Sequence, residues 1–414
     1  MASWRGDDTG HNFSAFNIGN ALDRAGAVAV PRNARESTPR RVVRHPGVPE
    51  PRHILVSLLS PIGDTLLATP ALAALRRRYP DASLTVIVSA SNAGILEGNP
   101  DVTERILVPH PGKRAPLFRF AQAMRAINRT RDKYDLVVSL SAASSFVTFV
   151  SGLSASANQY KLHSPPMWWL VGGHSSEYRA RHTIDQYLLT IAPLISPPRS
   201  DDDRVPRLYL TLQERSAARR LLRAHGLAPT KLLIAMHVGG DGFNGRKRWA
   251  PKRFAEVANA LIERFDAHVL LIGGNVDVPL AERTAALIPH GATVLAGETP
   301  LKVTAALIEE ATLFIGNDSA PLHMAAAVGT PSVGIFGPSD WNEFHPVGKT
   351  GYQHRVVHSN LACSPCFRFL GNDAPWIPNT CYSRACLKAI TPQHVMDAAT
   401  ALLAQQDVSP DMRV

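Results

Sequence analysis

The chain has 414 residues, 45% apolar and 19% charged, with a formal net charge of +10. That length suits two domains of ordinary size, and no apolar run nears the roughly 18 residues of a membrane-spanning helix. The positive balance asks for an acidic partner, but no zinc finger, basic zipper or aromatic-studded RNA motif accompanies it, which argues against nucleic acid.

In chain order, residues 1–50 read as a flexible basic tail. Arg5, Asp7 and Asp8 near its start do not resemble a signal peptide, so the expected location is cytoplasmic. Arg32, Arg35, Arg40, Arg41, Arg44 and Arg52 stand among prolines. They fit a solvated tail, or contact with anionic lipid at the inner face of a membrane.

Residues 51–205 form a first α/β unit. His53–Leu59 is an apolar run of the kind buried in a parallel sheet. The turn Ser60–Asp64 leads to a helix with Ala68, Leu72, Leu75 and Tyr79 on one face, ending in Arg76–Arg78 where cations suit the helix dipole. Leu84–Val88 and Leu136–Leu140 read as further strands. Residues 141–185, with Trp168-Trp169, fit either a buried segment or a surface facing membrane or acceptor.

Residues 206–230 are a linker leading to a second α/β unit at 231–390. That unit begins with the strand Lys231–His237 and a helix from Pro251 with Phe254, Val257, Ala258, Leu261 and Phe265 inward; a strand at His268–Ile272 follows. Residues 391–414 are a closing helix and tail, with Thr391-Pro392 as N-cap and first helical residue and an end near Leu403. Strands alternating with helices point to two doubly wound α/β units.

The most informative segment is Leu313–Asp340: a buried strand, the turn Asn317-Asp318-Ser319, a small-residue helix carrying His323, and a second strand ending in Gly337-Pro338. Ligands of parallel α/β sheets gather at strand carboxyl ends. The open N–H groups of a helix start favour anions such as a sugar-nucleotide diphosphate. Gly239-Gly240 after His237 fits a phosphate cradle of backbone N–H groups, although the Walker ending is absent.

All four cysteines lie together, as Cys363-x2-Cys366 and Cys381-x4-Cys386. Two thiolate pairs suit a closed, structural zinc or iron site. Buried free thiols are the alternative, and disulfides are disfavoured in a cytosolic chain.

Three segments carry a resemblance: Leu58–Leu72, Lys247-Arg248-Trp249-Ala250-Pro251 leading to Phe254, and Leu313–Asp340. In their order and spacing, the chain from about Pro51 to Leu403 resembles glycosyltransferase family 9, the heptosyltransferases of lipopolysaccharide core assembly. The resemblance implies a GT-B architecture, two Rossmann-like domains facing across a cleft, with acceptor on the N-terminal side and nucleotide sugar on the C-terminal side. It also implies inverting transfer from a nucleotide-activated heptose, typically ADP-heptose, to a glycan, lipid-linked or protein acceptor, with no cofactor or metal in the chemistry. An autotransporter-type protein heptosyltransferase and a transferase of another nucleotide sugar share these features. So do a nucleotide-sugar epimerase and a non-catalytic GT-B binding protein. Similar cysteine clusters occur in the autotransporter enzymes, where they bind iron.

Residue by residue, the resemblance makes Asp64, after Gly63, the base, although its position also fits an N-cap. It makes Lys247 the group beside the leaving diphosphate, although with Arg246 and Arg248 it also fits a basic surface. Asp318 and Ser319 match the family's Asp-Ser/Thr-Gly beside sugar and phosphates, and His323 falls near the diphosphate. Ala320 stands where that motif has glycine, adding a methyl group where glycine permits close approach; this leaves the sugar less securely assigned. Gly273–Asp277 borders the nucleoside, with Asp277 on the ribose and Glu282 competing for that role.

Overall fold

The computed structural model describes residues 50–108, 134–140, 181–192, 194–195, 198, 200–227, 232–240, 245–349, 354–366, 381 and 383–407, with the backbone of 16–17 and 160–163. Trp168-Trp169 and nearly all of the basic tail lie outside these residues. Among the described residues no helix is long and apolar enough to cross a membrane.

In chain order the strands are β1 (Phe16–Asn17), β2 (His53–Leu58), β3 (Ser83–Ser89), β4 (Glu104–Val108), β5 (Leu136–Ser139), β6 (Tyr160–His163), β7 (Leu233–His237), β8 (His268–Leu271), β9 (Ala292–Val294), β10 (Leu313–Asn317), β11 (Ser332–Phe336) and β12 (His354–His358). They form two sheets, in the orders β4-β3-β2-β5-β6 and β1-β12-β11-β10-β7-β8-β9. All pairs are parallel except β1 with β12. Runs such as Ile54-Leu55-Val56 and Leu313-Phe314-Ile315 are buried on both faces, as parallel strands between helical layers must be.

Where the sequence predicts one helix after Asp64, the structure has two, α1 (Ile62–Leu67) and α2 (Thr69–Arg78). Pro70 has no N–H to continue the ladder, and the Thr69 hydroxyl donates to the Leu66 carbonyl at 2.7 Å. Because α1 begins at Ile62, Asp64 lies inside its first turn, and the N-cap position is Pro61. The capping role open to Asp64 in the sequence is therefore not the one it takes. Helix α3 (Thr183–Ile191) packs on α2.

Helix α4 (Leu212–Ala224), opened by a Thr211–Glu214 capping box, lies in the expected linker but packs on α7 (Leu301–Glu310) of the second unit. Arg215 grips Glu309 with bonds of 2.7 and 2.9 Å, and buried Lys302 meets Glu214 at 2.8 Å. Between them run α5 (Pro251–Phe265) and α6 (Val278–Ala285). Phe254, Val257, Ala258 and Leu261 of α5 are buried, as their spacing predicts, and Phe265 is half-buried. After α8 (Ala320–Val328), α9 (Trp341–Phe344) and α10 (Ala385–Ala389) comes α11 (Pro392–Asp407). It runs past Leu403 and packs on α5, β10, β11 and β12, making it a layer of the second domain.

The two domains meet where α1 packs on α8. Each helix follows the carboxyl end of a central strand, β2 and β10 respectively, so both sheets present those ends to one junction.

Candidate active site

The junction can be built from β10 outward. Its register sets Gly316 beside His237 of β7 and Asn317 beside Ile335 of β11, so three strand ends align. Asn317 is fully buried, which obliges its amide to find partners. Its Nδ2 donates to the carbonyls of Val238 (3.2 Å) and Gly239 (2.8 Å), and its Oδ1 accepts from the Trp249 amide at 2.9 Å. Trp249 is then tied by Nε1 to the Ile390 carbonyl at 3.0 Å. One asparagine thereby fixes both the glycine turn after β7 and the loop that carries Lys247.

That loop aims Lys247 at the next residue of the β10 turn. Lys247 Nζ lies 2.5 Å from Asp318 Oδ2 and 5.6 Å over the Phe344 ring. Burial alone would raise the affinity of Asp318 for a proton. The Lys247 charge and hydrogen bond outweigh it, with help from Ser339 and His323, and hold the carboxyl below the usual carboxylate range.

Asp64 arrives from the other domain. Burial pushes its carboxyl up to about 6, with Lys247 pulling it down and Asp318 pushing it up. The three groups therefore share one electrostatic environment. Next to Asp64, a Cβ at Gly63 would stand 3.3 Å from His323 Cδ2 and 3.6 Å from Ala320 Cα, so the two domains are in close contact here. His323 is buried, and burial takes its ring down to about 4, leaving it neutral at neutral pH. Among the described residues its Nδ1 has no hydrogen-bond partner.

Behind this cluster runs a second chain of contacts. His237 places Nδ1 2.9 Å from the Ser319 hydroxyl and Nε2 3.3 Å from Asp277 Oδ2. Asp277 Oδ2 also accepts the Gly274 amide at 3.0 Å. Burial pushes Asp277 up, but the hydrogen bond and charge of His237, followed by the amides of Gly274 and Gly240, bring it below its ordinary value. The carboxylate expected on a ribose thus holds His237 and the Gly274 amide through Oδ2, whereas Glu282 is exposed. Gly239 presses against both Asp277 and His237, leaving no room for a side chain. Gly240, at φ +113°, lies over Ser319 in a conformation that favours glycine.

The structure thus gathers Gly63, Asp64, Gly239, Gly240, Lys247, Asp318, Ser319, Ala320 and His323 at one junction. His237, Asn317 and Phe344 join them without having been predicted. The sequence offers a signal for the first two only: a polar residue closing each of two buried apolar strands.

The cysteines behave differently. Cys363, Cys366 and Cys381 lie near enough to Cys386 to raise its affinity for a proton, after burial, to about 11. All four are free thiols. Yet among the described residues no group of three or more His, Cys, Asp or Glu side chains is placed to hold a metal ion. A zinc or iron site at these cysteines is therefore not confirmed: Cys363 and Cys381 are exposed, Cys366 half-buried and Cys386 buried. The segment around them also acts as a brace. The Cys366 amide donates to the Pro338 carbonyl at 3.0 Å, and Arg253 bonds the carbonyls of Leu387, Lys388 and Ile390.

A carboxylate with raised proton affinity facing an ammonium and an open helix start suits transfer of a group away from an anionic leaving group. The sequence profile of glycosyltransferase family 9 (heptosyltransferase) matches residues 119–376. The chain belongs to that family. It is a glycosyltransferase of GT-B fold. Lipopolysaccharide heptosyltransferase 3 of Escherichia coli is 28% identical over 290 residues, which cover 67% of this chain and 81% of that enzyme. Among solved structures, a family 9 glycosyl transferase from Veillonella parvula aligns with a TM-score of 0.69 at 24% identity, over 86% of this chain and 98% of its own. The E. coli ADP-heptose LPS heptosyltransferase II aligns at 0.63 and 23%, over 86% and 99%. At these identities the solved structures establish the fold alone.

Proposed function

We propose that this glycosyltransferase moves a heptose from ADP-heptose, with inversion, to a sugar of a lipopolysaccharide-core acceptor. The observation that carries the reading is the meeting of Asp64 from the first domain with Lys247, Asp318 and the start of α8 from the second. The donor and acceptor are drawn from the names of the E. coli relatives.

In this reading the acceptor hydroxyl gives its proton to the Asp64 carboxylate as its oxygen bonds to the anomeric carbon and the bond from that carbon to the diphosphate breaks. A carboxyl raised to about 6 is a better base than an ordinary aspartate and is still mostly ionised at neutral pH. Lys247, steered by Asp318, meets the charge that develops on the leaving diphosphate. The start of α8 adds the Ala320 amide; Pro321 has no N–H, and the Leu322 amide donates to the Ser319 carbonyl at 3.0 Å.

A thermal-shift panel of nucleotide sugars followed by turnover tests this. ADP-heptose should stabilise the enzyme, and ADP should be released only when a core-type acceptor is present. Stabilisation by a UDP-sugar alone would overturn the donor assignment. Donor consumption without acceptor would instead mark an epimerase.

A further inference from the structure

The start of α3 in the first domain and the end of α9 in the second each leave a backbone group in need of a partner. One histidine serves both. His182, 4% exposed, is the N-cap of α3, and its Nδ1 accepts the Ile184 amide at 3.2 Å. An accepting Nδ1 leaves the ring proton on Nε2, and Nε2 donates to the His345 carbonyl at 2.8 Å. His345 is the C-cap of α9, and its own amide and Nδ1 turn back to the Trp341 carbonyl. Its carbonyl is the group left for the other domain. Burial, with His345, Arg204 and His323 close by, keeps the His182 ring from taking a second proton. His182 is thus a fixed acceptor in the first domain and a fixed donor to the second.

This bond joins the two elements that stand behind the opposed charges of the site. α3 packs on α1, which holds Asp64, and is anchored in its own domain by two 2.8 Å bonds from Arg204 to Asp185. On the other side, Phe344, the residue before His345, lies under Lys247. The His182 and His345 rings are 4.4 Å apart and close to His323, the residue of α8 that borders Gly63. We propose that His182 is a positioning residue: by bonding the His345 carbonyl it clasps α9 to the first domain and so sets how closely Asp64 and Lys247 face each other. The clasp rests on geometry alone, whereas its effect on turnover rests on the reading of Asp64 as the base. Asp64 is faced by Lys247 and Asp318, and His182 by His345, Arg204 and His323. Burial keeps all three histidines uncharged at neutral pH, so the clasp itself does not titrate there.

Two near-isosteric variants separate the ends of the ring. His182→Asn keeps an acceptor near Nδ1 for the Ile184 amide and is too short to reach His345. His182→Gln keeps a donor near Nε2 for the His345 carbonyl and gives up the cap. In ligand-free full-length enzyme, hydrogen–deuterium exchange over Trp341–His345 should quicken about fivefold in His182→Asn, as expected for one lost hydrogen bond. It should keep the wild-type rate in His182→Gln. Exchange at the start of α3 should show the reverse, faster in His182→Gln and unchanged in His182→Asn.

A double-variant cycle of thermal unfolding at about pH 8 reads the link to Asp64. Asp64→Asn should raise Tm fully in the wild-type and His182→Gln backgrounds. The rise should be about half as large in His182→Asn, where a looser junction already admits water to the carboxylate. In turnover, His182→Asn should move the acidic limb of kcat/KM to lower pH, and His182→Gln should leave it in place. A merely structural histidine would make the two variants alike in exchange and leave the limb unmoved in both. Unchanged exchange over Trp341–His345 in His182→Asn overturns the clasp, and an equal Tm rise in every background overturns its reach to Asp64. The expected exchange and Tm patterns in an enzyme whose profile has no acidic limb would leave the clasp standing and overturn the reading of Asp64 as the base.

Discussion

Replacing Asp64 by asparagine should make the enzyme more stable while removing its activity. Burial lifts this carboxyl from 3.8 to about 6, so the folded protein holds the proton more tightly than the unfolded chain does. Stability linked to this group is fully present below about pH 3.8 and is lost as the pH rises through about 6. At neutral pH the ionised carboxylate therefore destabilises the fold. Moving the carboxyl from 3.8 to about 6 corresponds to roughly 3 kcal/mol. Asp64 is half-buried, and solvent screening reduces the figure to about 1–3 kcal/mol.

Asparagine keeps the shape and carries no charge. Its advantage should be near zero at about pH 4 and complete above about pH 7, a rise of a few degrees in Tm. Turnover should fall by about 10²–10⁴-fold at about pH 8, where the wild-type carboxylate is ionised, and by less as the pH drops below about 6 and the wild-type base takes up its proton. Thermal unfolding of both proteins at about pH 4.5 and about pH 8, with turnover at the higher pH, checks both halves. An Asp64→Asn enzyme with near-normal turnover would refute the base. A stability difference that does not change with pH would refute the burial argument.

Other outcomes follow from the same cluster. Lys247→Ala leaves the Asp318 carboxylate buried without its partner, which should destabilise by about 3–5 kcal/mol in urea unfolding. Because Lys247 also pulls Asp64 downward, its loss should move the acidic limb of the pH–rate profile to higher pH, whereas Lys247→Arg should leave that limb in place. Asn317→Ala strips partners from two carbonyls and one amide and should cost about 2–4 kcal/mol by the same measurement; a loss under about 0.5 kcal/mol would mean the asparagine is not the tie described. Cysteine alkylation followed by mass spectrometry should label Cys381 first. This thiol is exposed and is lowered by hydrogen bonding from the Arg384 backbone and Ser383. Cys386, raised by burial, should label last. Equal rates would contradict their placement.

Much of this site was readable because its parts are local. Leu313–Asp340 holds a strand, a turn and a helix start in consecutive residues, and Asp64 and Lys247 each sit in a short segment with its own pattern. His237 and Asn317 stand 80 residues apart, and their significance depends on how β7 and β10 register. Asp277 shows the same limit: nothing in its glycine-rich loop signals that its carboxylate meets His237, 40 residues away in the chain. The break between α1 and α2 was there to be read, since Pro70 marks the residue before it as a helix boundary.

Ala320 is the point where sequence and structure inform each other most. In the sequence it is a departure from a glycine, with a methyl group at the mouth of an anion site. In the structure a Cβ placed on Gly63 would lie 3.8 Å from the Ala320 Cβ. The methyl therefore borders the first domain, and the missing side chain at Gly63 leaves the space for it. The glycine absent at 320 and the glycine present at 63 are two sides of one contact. That contact also places Asp64, the next residue, against the second domain, where Lys247 and Asp318 set its proton affinity. The substitution thus bears first on how closely the domains meet and how far Asp64 is withdrawn from water. Its methyl borders the domain junction, within 3.8 Å of where a Gly63 side chain would begin.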